Sequence, residues 1–112
     1  MSIYHPLLPK FISWRHVLCT GSLADLERAI MLGQNVNELL DYPRDNERAI
    51  SLLAGWATQY QTEAISKIKL LYQHKADVSA TNYRGLKASR MCTVKPVRQL
   101  LLSLEKQEND TV

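Results

Sequence analysis

Leu23-Ala24-Asp25-Leu26-Glu27-Arg28-Ala29-Ile30 runs into Gly33-Gln34-Asn35-Val36-Asn37, and a second stretch repeats the pattern. That second stretch is Ile65-Ser66-Lys67-Ile68-Lys69-Leu70-Leu71-Tyr72, running into Lys75-Ala76-Asp77-Val78-Ser79. Val36 and Val78 stand 42 positions apart. Leu23, Leu26, Ala29 and Ile30 follow the i, i+3, i+6, i+7 spacing of one helical face. Ile65, Ile68, Leu71 and Tyr72 repeat that spacing at the same offset. Two helices with matching apolar faces and matching exits predict a repeated helical unit, and internal repetition decides a fold before any single motif does.

Working outward, each of these helices is preceded by an apolar segment. Phe11 to Cys19 precedes the first, and Thr20-Gly21-Ser22 breaks the chain, with Ser22 placed to cap the next helix. Ala49 to Tyr60 precedes the second and is apolar nearly all round, the composition of a helix buried between neighbours. Gln59 to Thr62 makes the break there, with Thr62 expected as the cap. A third pair is expected after Asn82-Tyr83-Arg84-Gly85, where Gly85 suits a turn. Its helices would run from about Leu86 to Cys92 and from about Lys95 to Lys106. Pro96 is tolerated in a first turn, and Val97, Leu100, Leu101 and Leu104 form the inner face. The expected fold is therefore all-α, three helical hairpins joined by turns.

At 112 residues the chain has room for one domain, expected over 1–104. Glu38 to Arg48 carries Pro43 and a cluster of turn-forming residues and is expected as a long loop. The polar segment 105–112 is expected to fray. Leu and Ala dominate over the one Phe, two Trp and five Tyr, a balance that favours packed helices. No apolar run reaches the roughly 20 residues of a membrane helix, so no membrane role is expected. The first residues lack the basic and apolar regions of a signal peptide, which points to the cytosol. Cys19 and Cys92 fall among apolar residues and are expected as free thiols packed like small hydrophobes.

The stretch from Gly21 to Asn37 resembles the second half of an ankyrin repeat, written G-x-L-x-x-L-x-x-L-L-x-x-G-A-D-V-N. Lys75-Ala76-Asp77-Val78-Ser79-Ala80-Thr81-Asn82 resembles the same ending with Lys in place of Gly. Asn82 to Ala88 is similar to the turn that opens the next repeat. The T-P-L-H signature is absent, and the 42-residue period exceeds the usual length of about 33. The excess implies an insertion, placed partly in Glu38–Arg48 and partly around Thr58–Glu63. Tetratricopeptide-type hairpins share the pairing but not the G-x-x-V-N exit. The resemblance implies a short ankyrin-like solenoid of about three stacked helix-turn-helix repeats. A single hairpin cannot bury its apolar face, and such stacks need about three units.

Few residues are arranged for catalysis. His5, His16, His74, Cys19 and Cys92 are scattered, with no C-x-x-C and no H-E-x-x-H. Neither thiol has a base and an orienting third group nearby in sequence. With four glycines, no glycine-rich phosphate loop is present. No cofactor or metal is expected, and the chain is read as a non-enzyme.

The resemblance places a binding surface on the turn tips and the inner side of each first helix. In this sequence the tips are Tyr42, Arg44, Asp45, Asn46 and Arg48 in the long loop, and Tyr83 and Arg84 in the next turn. His16, Cys19 and Thr20 would face the same way. Tyr and Arg are enriched at binding hot spots. The bland alternative is that the tyrosines cover the core edge while the arginines are merely solvated. The expected partner is another protein, which the module would inhibit or scaffold as an effector, immunity or inhibitor protein.

Charge is unevenly spread. Residues 1–63 carry a net −2, residues 64–104 a net +7, and the last eight a net −2. The basic segment would attract an acidic protein surface, and nucleic acid is the rival partner. Arg84, Lys87 and Arg90 are expected near the concave side. Lys67, Lys69, Lys95 and Arg98 are expected on outer helices. A regulatory subunit docking on an enzyme is a further alternative. A monomer or weak homo-oligomer is expected.

Overall fold

The computed structural model describes residues 4–40, 48–82 and 84–110. Among them it is all-helical, with α1 (Trp14–Thr20), α2 (Leu23–Met31), α3 (Ala49–Trp56), α4 (Gln61–Gln73), α5 (Ala88–Met91) and α6 (Lys95–Asp110). No described helix is long and apolar enough to cross a membrane.

The breaks between helices have local causes. Ser13 caps α1 by accepting from the His16 backbone N–H at 3.1 Å. Gly21 ends it, donating to the Val17 carbonyl at 2.9 Å. A Cβ on Gly21 would lie 2.6 Å from that carbonyl oxygen, so the close approach demands glycine. Ser22 then opens α2 as expected, in a reciprocal capping box with Asp25.

The exits of α2 and α4 are built alike. Gly33 donates to Ile30 and Gln34 to Ala29. At the same 42-residue offset, Lys75 donates to Tyr72 and Ala76 to Leu71. Both exits are Schellman-type closures around one residue in the left-handed region. Gly33 has φ 107° and Lys75 φ 72°.

Each hairpin closes on itself, α1 on α2, α3 on α4, and α5 on α6. Successive first helices also pack together, α1 on α3 and α3 on α5, as do α2 on α4 and α4 on α6. One continuous core results, with Leu18, Leu26, Leu53, Ile68, Leu71 and Leu101 fully buried. Each such side chain contributes roughly 1.5–3 kcal/mol of hydrophobic stabilisation. Leu26 and Ile68, Ala29 and Leu71, and Val36 and Val78 are buried in matching pairs.

Several boundaries differ from the sequence expectation. Tyr60 rather than Thr62 precedes α4, because its ring stacks on Trp56 at 4.4 Å between centroids and fixes the entry of the chain. The third unit's first helix shrinks to α5, since the Thr81–Lys87 bridge holds Leu86 and Lys87 extended. Leu23, expected on the inner face, is 44% exposed at the first turn of α2, beside a recess lined by α2 and α4. The segment expected to fray stays helical to Asp110. Glu108 explains this, accepting from the Ser79 hydroxyl at 2.9 Å and from the Val78 backbone N–H.

Candidate binding surfaces

The turn before α5 is organised by one buried side chain. Asn82 Oδ1 accepts from the backbone N–H groups of Arg84 and Leu86, at 2.9 and 3.0 Å. Gly85 N–H closes the turn on the Asn82 carbonyl, at φ 75°, a conformation glycine adopts without strain. Arg84 is thereby held at an exposed tip.

Arg48 and His16 are less available than the sequence implies. Arg48 sits at the N-cap of α3, half-buried, with Nε donating to the Asn37 carbonyl at 3.2 Å. His16 is half-buried on α1, its Nδ1 accepting from the Ile12 N–H and its ring edge-on to Phe11 at 5.4 Å. Thr20, beside the half-buried Cys19, donates its hydroxyl to the His16 carbonyl. Tyr42, Arg44, Asp45, Asn46 and Tyr83 lie outside the described residues. The structure therefore places five of the ten residues expected on this surface, and of these Arg84 and Thr20 are exposed.

Asn37, the last residue of the first exit turn, bridges to the second exit turn. Its Nδ2 donates to the Lys75 carbonyl, and its Oδ1 accepts from the Asp77 N–H at 2.7 Å. Ser79 stands at the equivalent position of the second unit and hands on to Glu108 of α6. The first exit turn is thus stapled to the second, and the second to α6.

Lys67 corrects the expectation of an outward-facing charge. It is 2% exposed, with Nζ donating to the Leu18 carbonyl at 2.7 Å and lying 4.7 Å from the Trp56 ring centroid. Leu18 is in the last turn of α1, where carbonyls lack intrahelical partners. The ammonium satisfies one of them and rests on an aromatic face. Burial pulls the Lys67 amine below its ordinary pKa, while Glu63 and Cys19 partly hold it up. The position is buried because α4 is flanked by both α2 and α6 and packs on α3, leaving only part of its circumference to solvent. Lys67 also borders a recess of about 390 Å³ between the starts of α2 and α4.

Another recess, of about 500 Å³, opens on α5 and α6. Lys87 pairs with Glu105 across it at 3.5 Å. Sequence reasoning missed this face, although three consecutive leucines, Leu100-Leu101-Leu102, required one to point away from the core.

No group of three His, Cys, Asp or Glu among the described residues is placed to hold a metal ion. Cys92 is buried and free, with its Sγ 3.6 Å from the Val94 carbonyl. Comparison with models of known protein families, with curated proteins and with solved structures finds no match.

Proposed function

We propose that this chain is a short ankyrin-like solenoid that acts by binding another protein, inhibiting or scaffolding it without catalysis. The observation that carries the reading is the 42-residue recurrence of both the buried face and the exit-turn hydrogen bonds. The stapling of the first exit turn to the second through Asn37, and of the second to α6 through Ser79, supports a linear stack of units. In such a stack the turn tips project together. Arg84 on its Asn82-organised turn is then one contact point, and Tyr42, Arg44, Asp45, Asn46 and Tyr83 are assigned to the same surface. Arg48 and His16 are assigned a supporting role there, because their described contacts are internal.

The basic composition of 64–104 keeps nucleic acid as the competing partner, but it overstates the charge on offer, because Lys67 is buried. The test is capture of the tagged chain's partners from the lysate of its own source, with and without nuclease, read by mass spectrometry. One nuclease-resistant protein at near-equal stoichiometry, lost in an R84A/Y83A/Y42A variant of unchanged melting temperature, is the expected result. A signal that disappears with nuclease overturns the reading.

A further inference from the structure

The end of the helical layers formed by α5 and α6 carries its own chemistry, apart from the turn tips. Two adjoining recesses of about 500 and 300 Å³ share Ser89, Arg90 and Leu102, and neither is lined by α3 or α4. Leu102 is 49% exposed between them. Arg90 and Arg98 flank it, both exposed, and no ion pair among the described residues involves either one. Arg98 makes one internal contact, Nε to the Cys92 carbonyl at 3.0 Å, which orients its guanidinium. Glu105 borders the larger recess and spends one oxygen on Lys87, so its charge is offset locally. Its other oxygen, Oε2, is buried and has no hydrogen-bond partner.

We propose that this end face docks an acidic amphipathic helix of a partner protein. The shape follows from the packing, because every other helical hairpin here is covered on this side by the next pair. The sign follows from Arg90 and Arg98, which would meet carboxylates while Leu102 meets an apolar side chain of the same helix. A second copy of this chain fits less well, since a two-fold contact centred on Leu102 gathers Arg90 and Arg98 of both copies into one interface, where like charges repel. The inference uses none of the turn-tip side chains assigned above, although Gly85 of the Arg84 turn borders the larger recess.

The experiment measures fluorescence anisotropy of a labelled, helical Glu/Leu peptide of about 20 residues, long enough to span the face, titrated with the full chain. Saturable binding that weakens as salt rises is expected. A loss of about tenfold or more is expected for R90E and for R90E/R98E, with a Lys/Leu peptide then preferred. L102S is expected to weaken binding while R28A, at an exposed position on α2, leaves it unchanged. R90E alone guards against unfolding of the double variant, and circular dichroism checks both. Equal binding of the Glu/Leu peptide to wild type and R90E overturns the proposal, as does no binding at all. A single-stranded oligonucleotide that binds more tightly and is lost in R90E makes the face a phosphate site and overturns it as well. So does a dimer in sedimentation that R90E dissociates.

Discussion

The exits of α2 and α4 are the same structure made from different residues. Gly33 and Lys75 both take a left-handed backbone, and the flanking hydrogen bonds fall at the same 42-residue offset. Only one of the two residues is suited to that conformation. The difference teaches that helix length and the burial of Val36 and Val78 impose the turn, and that glycine relaxes it without creating it. Where the surroundings over-determine a backbone, a lysine is held there at a cost of about 1 kcal/mol.

The largest expected effect tests whether the two units share one core. Leu26→Ala and Ile68→Ala each remove a fully buried side chain at equivalent positions, and each is expected to cost about 3 kcal/mol in chemical denaturation. A cost confined to one of them, or two separate unfolding transitions, breaks the equivalence. A smaller effect of opposite sign comes from the left-handed residues. Gly33→Ala is expected to destabilise by about 1 kcal/mol, and Lys75→Gly to stabilise by about 0.5 kcal/mol. Two changes of the same sign would mean that the turns are held by different forces.

The most local effect separates the units by pH. Tyr4 donates its hydroxyl to Gln34 in the first exit turn, and no equivalent contact to Ala76 of the second turn is found among the described residues. Burial first, and Glu38 second, push the Tyr4 phenol up to about 12 from 10.0. The folded state therefore favours the protonated phenol. Its contribution is fully present below about pH 10 and is lost as pH rises through 12. Hydrogen exchange of the first-exit amides is expected to lose protection in that window, beyond the intrinsic base-catalysed rise, while the second exit holds. Tyr4→Phe should abolish the difference.

The repeat was legible because it rests on local chemistry. Ser22 and Asp25 cap α2 through contacts three residues apart, and the spacing Leu26, Ala29 against Ile68, Leu71 names the buried face. The third unit was less legible. Leu86 and Lys87 have a helical neighbourhood in sequence, yet the bridge from Lys87 to Thr81 draws them into extended backbone. The polar tail carries no apolar signal at all. It is helical to Asp110, where Glu108 finds Ser79, a partner 29 residues away. The candidate surfaces divide in the same manner. Arg84 beside Gly85 was visible as a turn tip, while Arg48 and His16 were found to be held by Asn37 and Ile12.

The sequence by itself determined that the chain is helical, where its paired helices lie, and that two units share one exit, because periodicity, caps and turns act over a few residues. Tertiary structure alone decided which charges reach water. Lys67 and Lys69 are two positions apart on one helix, but Lys67 lies beneath the Leu18 carbonyl and the Trp56 ring while Lys69 is exposed. The physical reason is that a charge's environment is set by whatever packs against it. For Lys67 those neighbours come from helices 11 and 49 residues away in sequence.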